Sequence, residues 1–146
     1  MIDLDASKIA AEVTRQFASG QISNFEFEMK MPDSNDSAIW ATEDTLRCFY
    51  DDFKEHKINA HWKVPHEVKN MMARWVMFLY SNEEYLWLKI SCPGIRPIEY
   101  GLVGKLFNEH KMQKSFMRVG NYSVWPFISI ESYESVKNKP VLLAGS

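Results

Sequence analysis

The chain has 146 residues, 46% of them hydrophobic, and a formal net charge of −2. That length suits a single domain spanning residues 1–146 and able to bury roughly 70% of the surface its unfolded chain would expose. A pI near 6.1 disfavours a dedicated nucleic-acid binder, whose domain is usually basic, and no apolar run approaches a membrane span.

Acidic Asp3 and Asp5 stand where a signal peptide carries basic residues, so a cytoplasmic location is expected. Cys48 and Cys92 lie 44 residues apart with no C-x-x-C or Cys/His ligand spacing, so both are read as free thiols. The net charge conceals a polarity. Residues 1–55 hold 12 acidic and 5 basic side chains, or −7, whereas residues 56–146 hold 7 acidic and 12 basic ones, or +5. The folded surface can absorb such asymmetry, or it can present an acidic face to a basic partner.

A helix is predicted from about Asp5 to Ser19, with Ile9, Val13 and Phe17 on its apolar side and Gly20 as its stop. From Ile22 to Met29, apolar Phe25, Phe27 and Met29 alternate with Asn24, Glu26 and Glu28, which reads as a short strand or extended segment. The turn-rich run 31–37 then leads into a helix capped by Ser34 or Asp36 and running to about Lys54. Ile39, Leu46, Phe49, Tyr50 and Phe53 fall inside that helix, and Glu43, Asp44, Asp51 and Asp52 on its solvent face.

Pro65 suits a first helical turn, and Val68, Met71, Met72, Trp75 and Leu79 give the buried stripe of a central helix. Tyr85–Ile90 alternates as a strand, Ile98–Phe107 reads as a short helix despite Gly101 and Gly104, and Met117–Val119 with Ser123–Ile128 reads as a hairpin turning at Gly120-Asn121. Pro126 would then need an edge or strand end. A last short helix is expected from about Ser129 to Lys137. The architecture predicted is α+β, with three main helices in the N-terminal half and a small antiparallel sheet in the C-terminal half.

Motifs with a known chemistry are missing: there is no G-x-S-x-G elbow, phosphate-binding glycine loop, H-E-x-x-H or dinucleotide fingerprint. His56, His61 and His66 recur every five residues, a spacing that points successive side chains apart on a helix or a strand and so disfavours a metal site. Asp51, Asp52, His56 and His61 remain the candidates for an enzyme or small-ligand site assembled in space. Ser91-Cys92 with a distant His110 is too loose a pairing to carry a nucleophile assignment. Lys105, His110, Lys111, Lys114 and Arg118, with Phe107 and Phe116 among them, form the most basic stretch, yet nucleic acid stays disfavoured by the overall charge.

Arg74 interrupts the apolar stripe of the central helix. A half-buried guanidinium wants a carboxylate, which Glu83 or Glu84 can supply; the other reading is a pocket walled by Trp87 and Trp125 in which Arg74 meets a ligand carboxylate.

Asn24-Phe25-Glu26-Phe27-Glu28, Tyr50-Asp51-Asp52-Phe53, Arg74 followed by Phe78-Leu79, Glu84-Tyr85 followed by Trp87, and Val124-Trp125-Pro126-Phe127 together resemble a pattern in small bacterial proteins without an assigned activity. Some of these travel on mobile elements or sit in accessory gene neighbourhoods. The resemblance spans about residues 24–127 and implies a bacterial single-domain protein; it transfers no catalytic residue.

The functional expectation is a protein-binding or accessory module, immunity-like in the sense of sequestering a partner, with Glu43, Asp44, Asp51, Asp52, Arg74, Trp87 and Trp125 as candidate binding residues. The partner expected is a basic protein, with self-association through surface aromatics as the other possibility. No catalytic residue, metal or cofactor is assigned.

Overall fold

The structure is a computed structural model that describes residues 2–81, 83–87 and 118–138. Their α-helices are α1 (Leu4–Ala18), α2 (Asn24–Lys30), α3 (Ser37–Arg47), α4 (His66–Tyr80) and α5 (Ile130–Lys137), with 3₁₀ turns at Ala60–Trp62 and Tyr122–Val124. Among the described residues there is no strand. The fold there is helical, which corrects the α+β expectation.

α1 begins at Asp3, whose carboxylate accepts from the Ala6 N–H at 3.0 Å. Ala10, Ala11 and Phe17 are fully buried, and the small alanines let α4 pack closely along α1. Val13 and Phe17 are buried as predicted, whereas Ile9 is 52% exposed. Gly20 ends the helix at φ 76°. Gln21 N–H bonds to the Gln16 carbonyl at 2.9 Å and Gly20 N–H to that of Phe17 at 3.1 Å, a double closure that needs a left-handed residue. A Cβ at Gly20 would also lie 3.1 Å from the Ile58 carbonyl oxygen. Lys69 of α4 donates to the Ala18 carbonyl at 2.6 Å, pairing a cation with the negative end of α1.

The segment read as a strand is α2. Ser23 accepts from the Glu26 N–H at 3.2 Å and Glu26 reaches back to the Ser23 N–H at 2.8 Å, so a reciprocal capping box starts a helix where the alternation had suggested a strand. Phe27 is fully buried while Met29 is 80% exposed, an outcome incompatible with both lying on one strand face.

α3 is capped by Asp36, which accepts from Ala38 N–H at 2.9 Å and from Asp3 N–H at 2.8 Å, tying the starts of α1 and α3. The helix ends at Arg47, seven residues short of the expected Lys54. Cys48 and Phe49 bond to carbonyls three residues back, tightening the last turn. Tyr50 then enters the core, its ring centroid 5.6 Å from that of Phe17 and 6.2 Å from that of Phe27. Phe53, expected inside, is 83% exposed. Cys48 is disulfide-bonded, and no cysteine among the described residues is free, which corrects the free-thiol expectation there. Cys92 lies outside the described residues.

α4 follows the predicted register: Pro65 precedes it and Val68, Met71, Met72, Trp75 and Leu79 are buried. Tyr85 and Trp87 are buried on either side of an exposed Leu86, so the alternation exists, but on a segment that pairs into no ladder among the described residues. Residues 88–90 and the helix expected at Ile98–Phe107 lie outside them.

The predicted hairpin is instead a compact turn. Asn121 N–H bonds to the Ile128 carbonyl at 2.9 Å, but between them Asn121 caps the Tyr122–Val124 turn by accepting from Ser123 N–H. Asx capping replaces strand pairing here, the Trp125–Pro126 peptide is cis, and Met117 lies outside the described residues. α5 matches expectation, with Ser129 accepting from Ser132 N–H at 3.1 Å. Trp125, Phe127 and Val136 join the same core as α1 and α4.

Candidate functional site

Two charged regions stand out, one at α2 and α3, the other between α4 and α5. In the first, Tyr50 donates its phenolic proton to Glu28 Oε1 at 2.8 Å, and burial together with that carboxylate pushes the phenol well above its ordinary range. Burial pushes the Glu43 carboxyl above its ordinary value, Arg47 opposes this, and the charges of Glu28 and Asp33 add to it. Asp52 is raised in the same way, by burial first, with Arg47 opposing and Glu28 and Asp51 adding. The charge of Glu28 thus bears on both Glu43 and Asp52, and Arg47 opposes the rise of each. Like charges held this close resist simultaneous ionisation. Exposed Met29 and Phe53 are the chain neighbours of Glu28 and Asp52.

Asp44 is separate from this face. It is buried, at 9% exposure, and its charge is felt by Tyr85. Glu43 is half-buried; the solvent-facing row of four acids expected on one helix is not formed.

Asp51 and His56 are occupied in holding the loop after α3. Asp51 Oδ1 accepts from Phe53 N–H at 2.7 Å and from Lys54 N–H at 3.2 Å. His56 Nε2 accepts from Asp51 N–H at 3.0 Å, which requires that nitrogen to be unprotonated. The imidazole stacks on Trp62 with centroids 3.8 Å apart, while exposed His61 meets the edge of the same indole at 5.5 Å. Asn24, fully buried, ties α2 to the loop: its Nδ2 donates to the carbonyls of Asp51 at 2.6 Å and Lys54 at 3.0 Å, and its Oδ1 accepts from His56 N–H at 2.8 Å. These bonds make Asp51 and His56 structural members of a loop. No group of three or more metal-ligating side chains occurs among the described residues.

The second region surrounds Arg74. Its Nε donates to the Trp125 carbonyl at 2.9 Å, and among the described residues no carboxylate forms an ion pair with it. Glu83 and Glu84 are exposed, so the expected pairing with them is not made. Burial holds the guanidinium below its ordinary value, with the phenols of Tyr133 and Tyr122 as its polar neighbours. Burial also pushes the Tyr122 phenol up to about 12, partly offset by Arg74, which keeps it a hydrogen-bond donor at neutral pH.

Rings form the bed of this region. Trp125 meets Trp75 edge to face at 5.1 Å and lies near-parallel to Tyr122 at 6.1 Å. Phe127 contacts Phe78 at 5.2 Å and Tyr133 at 5.4 Å. Lys137 Nζ stands 5.6 Å above the Tyr133 ring. Trp125 therefore does adjoin Arg74 through its carbonyl, and Trp87 is buried.

Glu28, Asp33, Arg47, Tyr122 and Tyr133 were absent from the sequence-derived set. Their contacts join residues up to 59 positions apart, as between Arg74 and Tyr133, and no local motif encodes such distances. No family model matches the chain, and neither curated proteins nor solved structures show a significant match to it.

Proposed function

We propose that the protein is a binding module that engages a basic protein partner through the acidic surface of α2, α3 and the loop that follows. The observation that carries this reading is the excess of carboxylates there: the charges of Glu28 and Asp33 bear on Glu43 and those of Glu28 and Asp51 on Asp52, with Arg47 opposing at both. A partner's lysine or arginine would relieve that repulsion, and exposed Met29 and Phe53 supply the apolar anchors that binding surfaces place among charges.

Asp51 belongs to this surface through its charge, whereas its carboxylate oxygen Oδ1 is held by the loop. The Cys48 disulfide favours a thiol-oxidising setting for the encounter over the cytoplasm first expected. No helix among the described residues is long and apolar enough to cross a membrane.

The test is a bacterial-lysate pull-down in which wild type is compared with Glu28→Lys/Glu43→Lys/Asp52→Lys and with Glu131→Lys/Glu134→Lys, a reversal of exposed acids on α5. The expected result is one basic protein retained at low salt, released at high salt, lost from the triple variant and kept by the α5 variant. Equal retention by all three forms would refute the acidic surface as the binding face. A bait shown by light scattering to be dimeric, with no partner, would shift the reading to self-association.

A further inference from the structure

The loop after α3 closes on an imidazole that can serve it in one protonation state only. His56 Nε2 accepts from the Asp51 N–H at 3.0 Å, and Nδ1 lies 3.4 Å from the Lys57 carbonyl oxygen. An acceptor at Nε2 and a carbonyl opposite Nδ1 select the neutral tautomer that carries its proton on Nδ1. A proton added at Nε2 would set donor against donor at the Asp51 N–H, whatever else the ring touches.

It is Asp51 that must then move, because His56 is held on its other sides. The His56 N–H donates to Asn24 Oδ1 at 2.8 Å and its carbonyl accepts from the Asn24 N–H at 2.9 Å, which clamps its backbone to α2. Its ring, 7% exposed, stacks on Trp62 at 3.8 Å. Asp51, by contrast, starts a turn in which its Oδ1 accepts from the N–H groups of exposed Phe53 and Lys54. Asn24 Nδ2 keeps its hold on the Asp51 and Lys54 carbonyls, so loss of the imidazole bond loosens the turn without detaching it. Among the described residues, the charged groups that meet this segment are its own Asp51, Lys54, Glu55 and Lys57, with Glu26 of α2, which feels the charge of Lys57, and His61 at the edge of Trp62. Glu55 is engaged by the Ser23 hydroxyl at 2.6 Å.

We propose that His56 is a proton-operated latch: protonation of its imidazole breaks the bond to Asp51 and loosens the turn that carries Asp52 and Phe53, withdrawing part of the acidic surface. The effect on partner binding rests on the reading of that surface given above, whereas the latch itself does not. Linkage fixes the sign. The closed turn requires the neutral ring, so closure is complete above the ordinary histidine value of about 6.5 and is lost as pH falls and the ring takes up its proton.

NMR of the full chain from about pH 7.5 to about pH 5 tests it, following the His56 ring nitrogens, the coupling across the hydrogen bond from the Asp51 amide nitrogen to Nε2, and the solvent exchange of both backbone amides. The coupling is expected at neutral pH and should vanish in step with ring protonation. Protection of the Asp51 amide, corrected for the intrinsic pH dependence of exchange, should fall about tenfold, while the His56 amide, held by Asn24, keeps its protection. A coupling that outlasts protonation, a ring that stays neutral to about pH 4, or equal loss of protection at both amides would each overturn the latch.

His56→Gln offers an acceptor that does not titrate and should hold Asp51 protection constant over the same range; the wild-type coupling decides the matter if that variant does not fold. Affinity for a retained basic partner should fall further in acid for wild type than for His56→Gln, since both forms share the acids of the surface. An equal fall would deny the latch its role in binding. A turn that loosens by NMR in a protein that retains no partner at either pH would refute the binding reading and leave the latch standing.

Discussion

At the α2–α3 end of the molecule the carboxyls of Glu43 and Asp52 are raised by burial and by neighbouring acids with Arg47 opposing, and the adjoining loop is held by hydrogen bonds around Asn24 and His56. Between α4 and α5 the arrangement is reversed. One guanidinium meets a carbonyl and two phenols but no acid among the described residues, and it is aromatic packing that fixes the geometry. One end thus carries surplus charge on a polar framework, and the other a single charge on an apolar one. Such regions should respond differently to mutation, because packing losses scale with the volume removed whereas polar losses depend on which group is left unsatisfied.

Removing the largest ring gives the strongest contrast. Trp75 is fully buried and touches Phe78, Tyr85 and Trp125, so Trp75→Ala should destabilise the fold by about 3–5 kcal/mol in denaturant unfolding. It should also loosen Trp125 and with it the anchor of Arg74. A loss under about 1 kcal/mol, far below the range for a buried tryptophan, would mean that rings do not hold this end.

Asn24→Ala should act on the opposite end. It strands the carbonyls of Asp51 and Lys54 and the His56 N–H, and a loss of about 2–4 kcal/mol is expected from buried groups left unpaired. The His56 amide should exchange faster with solvent and partner binding at the acidic surface should weaken, while the environment of Arg74 is unchanged. Equal disturbance of both ends would show that the two frameworks are one.

The sequence made these two ends unequally legible. α4 could be read because its apolar stripe runs for four turns behind Pro65, long enough for a 3.6-residue period to be unmistakable. α2 has two turns, and over seven residues the alternation of Phe25, Phe27 and Met29 imitates a strand; the decisive signal was Ser23 with Glu26 three places on, a capping box visible in the sequence but outweighed by periodicity. α3 was drawn too long because Phe49 and Tyr50 are as apolar as the helix before them, although they enter the core after it has ended. Arg74 was legible as an anomaly in an apolar stripe, yet its partner is a backbone carbonyl 51 residues away, and no side-chain pattern announces a carbonyl.

The smallest effect tests whether the acidic surface is held at the expense of stability. The Glu43 carboxyl is raised above its ordinary value by burial, so the folded state binds the proton more tightly than the unfolded chain does. The favourable contribution of this group is therefore complete below the ordinary glutamate value, about 4.3, and is lost as pH rises through the raised folded value. Glu43→Gln should consequently match wild type in acid and exceed it at neutral pH, by less than about 1 kcal/mol because the group is only half-buried. The same variant should bind the basic partner more weakly at neutral pH, since it removes one of the charges the partner is attracted to. Higher stability with weaker binding in a single substitution is the signature of a charge placed for recognition. Higher stability with unchanged binding would leave the repulsion around Arg47 without a functional counterpart.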